Sequence, residues 1–156
     1  MKKTIILIGL LVISLYAISI DFNYTKQGFF DEGNEYAVQG YDPVSYFTEN
    51  KAVKGKETFQ LEYKGNIVLF KNQENLELFQ KTPQKYAPQY GGYCAWRMAQ
   101  DGKGVYGDPT LWKIVDKKLY FNYDKEIQER WLKNIPDFIK KADDFWLNKN
   151  NFKTLN

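Results

Sequence analysis

The chain has no histidine and a single cysteine, Cys94, among its 156 residues. These absences exclude a Ser-His-Asp triad, a Cys-His dyad, a histidine zinc site and a histidine-ligated haem. One cysteine also rules out an internal disulfide, a C-x-x-C redox pair and a four-cysteine zinc site within one chain. A strong charge of one sign is missing too: 22 Lys and Arg stand against 19 Asp and Glu. Without Lys2 and Lys3 the counts become 20 and 19, and this balance argues against nucleic acid as a partner. No low-complexity stretch and no obvious internal repeat is visible along the chain.

Only one long hydrophobic run is present. It extends from Thr4 to Ile20, behind Lys2 and Lys3 and ahead of the first acid, Asp21. That is the layout of a secretory signal peptide. Ala17 and Ser19 form an A-x-S site for cleavage, which makes residues 1–19 the leader. The run is slightly short of the roughly 20 apolar residues that span a bilayer. An uncleaved anchor through residues 4–20 is the alternative, and membrane contact is expected only through that segment. No cysteine lies near the end of the run, so a lipoprotein anchor is not expected. The expected location is periplasmic or exported.

Residues 20–35 read as an irregular lead-in, and 148–156 as a polar tail. In "YAVQGYDPVSYF", Tyr36 to Phe47, Gly40 and Asp42-Pro43 punctuate two short extended pieces. "FQLEYKGNIVLF" alternates apolar and polar residues around Lys64-Gly65-Asn66, a hairpin over 59–70. Asn72 caps a short helix whose Leu76 and Phe79 face inward, and Pro83 limits it. A helical turn is expected over 84–90, then a helix over 93–100 carrying Cys94, Trp96 and Met98. "DGKGVYGDPT" reads as a loop. "WKIV" and "KLYF" around Asp116-Lys117 predict a second hairpin. Ile127, Trp131, Ile135, Phe138, Ala142 and Phe145 form the stripe of a long C-terminal amphipathic segment. Pro136 divides it, with Asn134 capping the second half. The fold class is α+β: one small domain over 36–147, with two short β-hairpins packed against several helices.

The runs "AVQGYDPVSYF", "EYKGNIVLFKNQENLELF", "PQKYAPQYGGYCAW", "DPTLWKIVDKKLYFNYD" and "IPDFIKKADDFW" together resemble an exported YHS domain-containing protein. Nearly the whole chain beyond the leader is covered, and "KYAPQYGGYCA" is the most specific part. The resemblance implies a YHS-like fold and a metal-binding module, with copper as the cofactor. YHS domains often carry two cysteines, whereas this chain keeps one and has no histidine.

Cys94 and Met98 are four apart, so one helix face would carry both sulfurs, a soft pair suited to Cu(I). The ordinary alternative is a core pair, since free cysteine is often buried and methionine fills gaps. Burial without a partner would make Cys94→Ala tolerated and Cys94→Ser costly. Tyr41, Asp42, Tyr90, Tyr93 and Trp96 are the candidate lining of a ligand pocket. The bland readings are a turn carboxylate for Asp42, packing or hydrogen bonding for Tyr86, Tyr90 and Tyr93, and a solvated face for Asp143 and Asp144. Gly102, Gly104 and Gly107 match G-x-G-x-x-G formally, but after a helix and without a following one, so the loop is structural.

Two functions follow. The first is a noncatalytic binding or accessory domain of the bacterial envelope, taking a soft metal such as copper, a small ligand or an envelope protein partner. The alternative is a thiol-dependent redox protein or enzyme using Cys94.

Overall fold

The computed structural model describes residues 35–148 and the backbone of Lys153–Thr154. The expected leader, nearly all of the lead-in and most of the tail lie outside the described residues. In chain order the elements are a turn at Ala37–Gly40, α1 (Ser45–Thr48), β1 (Lys56–Tyr63), β2 (Asn66–Phe70), α2 (Gln73–Lys81) and α3 (Pro83–Tyr86). A second turn at Gln89–Gly92 leads to α4 (Ala95–Asp101), β3 (Lys103–Gly104), β4 (Asp108–Val115), β5 (Lys118–Asn122), α5 (Lys125–Leu132), α6 (Ile135–Leu147) and β6 (Lys153–Thr154). Strands β1 and β2, and β4 and β5, form the two expected antiparallel hairpins. The described residues are thus a small α+β domain, and no helix among them is long and apolar enough to cross a membrane.

The second half repeats the first at a displacement of 52 residues. Lys56 corresponds to Asp108 at the start of a first strand, Asn66 to Lys118 at a second strand, Gln73 to Lys125 and Pro83 to Ile135 at the two helices that follow. Each hairpin carries its irregularity at the same place, where the register jumps between Lys56 and Gln60 and between Asp108 and Trp112. The non-helical bonds coincide as well. Asp42 N donates to Val53 O at 2.8 Å and Cys94 N to Val105 O at 2.7 Å; Gly55 N donates to Gly40 O and Gly107 N to Gly92 O. An internal repeat is therefore present, contrary to the sequence reading. Its visible traces are scattered: Gly40-Tyr41 against Gly92-Tyr93, then Lys51, Val53, Gly55 and Thr58 against Lys103, Val105, Gly107 and Thr110, and Glu74, Glu77 and Lys81 against Glu126, Glu129 and Lys133.

Several local expectations are corrected by the same turns. Residues 36–47 form a turn and α1 instead of two extended pieces, because Val38 (φ 52), Gln39 (φ 51) and Gly40 (φ 75) are all left-handed. The helical turn expected over 84–90 is cut to α3 because Ala87, ahead of Pro88, is extended, and left-handed Tyr90 (φ 54), Gly91 (φ 63) and Gly92 (φ 90) form the second turn. A left-handed non-glycine residue costs of order 1–3 kcal/mol, so the surroundings must fix these turns. The helix expected from Tyr93 starts at Ala95, with Cys94 as its N-cap. Part of the expected loop is β3 and the start of β4. The C-terminal segment divides near Pro136 as expected, giving two helices instead of one long one, and Asn134 stands at the N-cap without a side-chain bond. Asn72 does cap α2, accepting from Asn75 N at 2.9 Å.

Two cores follow from the repeat. The first gathers Tyr46, Val68, Phe70, Phe79 and Tyr86 with Leu119 and Phe121 of the second hairpin. The second gathers Tyr90, Tyr93, Met98, Tyr120 and Trp131 with Ala142 of α6. Trp112 and Ile114, on one face of β4, pack against the first core. Their counterparts on β1, Gln60 and Glu62, are exposed. So the second hairpin is covered on both sides, by the preceding half and by its own helices. Tyr46 fastens the halves, its hydroxyl donating to Pro109 O at 2.9 Å and its ring meeting Trp112 edge-on at 5.1 Å.

The closest approaches recur too. A Cβ on Gly55 would sit 2.5 Å from the backbone carbon of Leu69, and one on Gly107 would collide with Phe121, the counterpart of Leu69. Gly55→Ala and Gly107→Ala are each expected to lower stability by about 1–3 kcal/mol in chemical denaturation. Gly65→Ala meets open space at the first hairpin tip and carries only the strain of its positive φ, about 1 kcal/mol.

Candidate functional site

Each left-handed turn ends in Gly-Tyr and delivers the next side chain, Asp42 or Cys94, into the interior. Both are wholly buried. Asp42 is a bare carboxylate in a dry place, which is tolerable only if its oxygens are fully hydrogen-bonded. Oδ1 accepts from Val44 N at 2.8 Å, and Oδ2 accepts from Lys71 N at 2.9 Å and from Asn75 Nδ2 at 2.6 Å. The expected turn role holds through Val44, and the carboxylate also ties the turn to the end of β2 and to α2.

Cys94 sits in the same position of the second half. Its Sγ accepts from Arg97 N at 3.5 Å, capping α4. Tyr123 and Trp96 stand where Lys71 and Val44 stand in the first half. Asn122 brings its amide end against the sulfur, with Oδ1 at 3.9 Å from Sγ. Burial pushes the Cys94 thiol up, against the pull of the Arg97, Tyr123 and Trp96 N–H groups. Because Cys94 precedes the helix and turns its sulfur over the helix start, a shared helical face with Met98 is not the relation between them. Met98 is buried in the second core.

The candidate pocket residues fall to the two halves. Tyr41 packs against the first core under Lys54, whose Nζ lies 4.0 Å from the ring centroid. Tyr90 and Tyr93 are buried in the second core, and Trp96 lies partly buried at its edge with the Arg130 guanidinium 6.0 Å over its ring. The Tyr90 hydroxyl donates to Asp143 Oδ1 at 2.8 Å, so Asp143 is a partner of the core and not part of a plain solvated face. Arg97 pairs with Asp101 at 2.9 Å. Among the described residues no group of three or more His, Cys, Asp or Glu side chains is placed to hold a metal ion.

The sequence reading missed Asn75 and Asn122. The recurrence of Gly-Tyr followed by a small polar side chain was the available signal for their partners. Comparison with protein-family models, with curated proteins and with solved structures gives no significant match.

The donors around Sγ overturn one expectation about substitutions. A serine hydroxyl would find partners here, whereas alanine leaves buried N–H groups unpaired. Cys94→Ala is expected to cost about 1–3 kcal/mol and Cys94→Ser less. Alkylation of the native thiol should be slower than that of a free cysteine at neutral pH.

Alkaline pH supplies a second test. Burial pushes Tyr46 and Tyr90 well above the ordinary tyrosine value, and burial with the Asp143 and Asp116 carboxylates pushes Tyr120 up to about 12. With folded pKa values above the unfolded ones, the native chain holds more protons than the unfolded chain in between. This stability is fully present below the unfolded values, 9.0 for Cys and 10.0 for Tyr, and is lost as pH rises through the folded ones. Denaturation midpoints should be flat through neutrality and fall from about pH 9 upward. A midpoint that rises there would contradict the burial of these hydroxyls.

Proposed function

We infer that the chain is a YHS-like, noncatalytic binding or accessory domain of the bacterial envelope, taking a soft metal such as copper. The observation that carries this reading is the coincidence of the resemblance with the two buried sites. "AVQGYDPVSYF" folds as the turn that delivers Asp42, and "KYAPQYGGYCA" contains the turn that delivers Cys94. The most specific run of the resemblance is thus the one that places Cys94. Cys94 supplies a soft sulfur, and Met98, one turn into α4, is the thioether nearest to it in sequence. Export by the N-terminal leader belongs to the same reading, because a domain of the envelope must cross the inner membrane. Burial and a raised thiol pKa disfavour the enzyme alternative, since a nucleophilic cysteine works as an accessible thiolate.

Anaerobic titration of the purified protein with Cu(I), Zn(II) and haem, followed by native mass spectrometry, tests the reading. One Cu(I) per chain is expected, abolished by Cys94→Ala. A folded protein that takes up no Cu(I), or takes it up equally after Cys94→Ala, overturns the metal assignment.

A further inference from the structure

Three positions of the second core hold readily oxidised rings where their first-half counterparts hold none. At the displacement of 52 residues Tyr90 stands where Val38 stands, Tyr120 where Val68 stands and Trp131 where Phe79 stands. All six are buried. Two valines and a phenylalanine fill these places with no polar atom to satisfy, so packing alone asks for nothing more. Trp131 even encloses an indole N–H that has no hydrogen-bond partner, and a buried donor left unpaired lowers stability. Local rules broken in this way concentrate at functional positions.

The three rings form a chain that reaches α6. Trp131 meets Tyr120 with ring centroids 5.6 Å apart, Tyr120 meets Tyr90 at 5.8 Å, and Tyr90 meets Trp146 at 5.9 Å. Trp146 is only partly buried, at the edge of this core. The Tyr90 hydroxyl donates to Asp143 Oδ1 at 2.8 Å, so its proton is within transfer distance of a carboxylate. Burial, together with this hydrogen bond, holds the phenol in its protonated form at rest.

We propose that Tyr90 is a redox-active tyrosine: the second half takes one oxidising equivalent from a one-electron oxidant at Trp146 and holds it on Tyr90, with Asp143 as the proton acceptor. The oxidant removes one electron from the Trp146 indole and is itself reduced by one. The indole radical cation then takes one electron from the Tyr90 phenol, which restores Trp146. As that electron leaves, the phenolic proton passes to Asp143 Oδ1. The net change is one electron gained by the oxidant, a neutral phenoxyl radical at Tyr90 and a protonated carboxyl at Asp143, with no bond between heavy atoms formed or broken. Tyr120 and Trp131 extend the chain inward, and enclosure keeps the radical from coupling with a ring of another molecule. The proposal is independent of the metal reading, and copper is left out of its test.

The test mixes the full chain with tris(bipyridine)ruthenium(II) and a sacrificial electron acceptor, and a flash of light makes the ruthenium(III) oxidant. Transient absorption follows the indole and phenoxyl radicals, and samples frozen after the flash are read by electron paramagnetic resonance. A phenoxyl signal is expected to form as the indole radical decays, to form more slowly in heavy water, and to outlive the signals of exposed tyrosines such as Tyr123. Tyr90→Phe should remove this long-lived signal. Asp143→Asn keeps an acceptor for the hydroxyl but takes up a proton poorly, and should slow formation on the order of a hundredfold. Trp146→Phe leaves Tyr90 and Asp143 in place and should also slow it. A long-lived phenoxyl signal that survives Tyr90→Phe, no such signal in the parent chain, or formation at the parental rate in Asp143→Asn or Trp146→Phe would each overturn the proposal.

Discussion

A buried acceptor at the end of a left-handed turn is the constraint on which the rest of this structure depends. The turn must be left-handed to bring Asp42 inward, and the hairpin must return so that Lys71 N reaches its carboxylate. Without that acceptor, Val44 N and Lys71 N would lose their partner, at about 1–3 kcal/mol for each buried unpaired group, and Asn75 Nδ2 would keep only the longer bond to Ser45 Oγ. The carboxylate alone would be no better, since an unpaired buried charge is costlier still. The pairing therefore fixes three segments at once: the turn, the end of β2 and the first turn of α2. Strain at Val38 and Gln39 is held in place by the same closure, which in turn sets where α1 begins.

The repeated halves stack in order, in the manner of repeat proteins that bury each unit against the next. Trp112 and Ile114 are apolar because they pack against the first core, Trp112 directly on Tyr46, and the equivalent Gln60 and Glu62 are exposed and polar. At the other end α6 takes the place of a further half. Ala142 is buried there, and Phe138, Ile139 and Phe145 pack onto the second core. A short α3 suffices in the first half because the second hairpin supplies Leu119 and Phe121 to its core, while the core of the second half is covered by the longer α6.

What was legible in the sequence was local. Alternation around Lys64-Gly65 and Asp116-Lys117 marked both hairpins, although Asp116 (φ 49) and Lys117 (φ 62) adopt left-handed angles without a glycine. Asn72 and Pro136 announced helix starts through side-chain capping and a fixed φ. The repeat was not legible, because its shared geometry rests on backbone bonds such as Cys94 N to Val105 O, which accept many side chains. Nor was the inward course of the two turns, since Val38, Gln39 and Tyr90 are residues that ordinarily avoid positive φ. Cys94 as an N-cap was hidden for a similar reason: the usual caps are Ser, Thr, Asp and Asn. Half of the site was therefore readable as residues, and its relation to Asp42 only as geometry.

The two halves solve one packing problem with different chemistry, and the difference is confined to few side chains. Asp42 uses every donor offered to it, which is what stability alone would select. At Cys94 the scaffold keeps the same turn and the same return of the hairpin, yet installs a sulfur that accepts from Arg97 N and faces the amide oxygen of Asn122. An aspartate is evidently compatible with this backbone, since the first half contains one. The side chains differ, however: Asn122 Oδ1, 3.9 Å from Sγ, accepts from a thiol and would repel a carboxylate, so the second half is built around a neutral side chain. Cys94 is thus distinguished less by being the lone cysteine than by standing, as a neutral side chain, where the first half of its own chain holds a carboxylate.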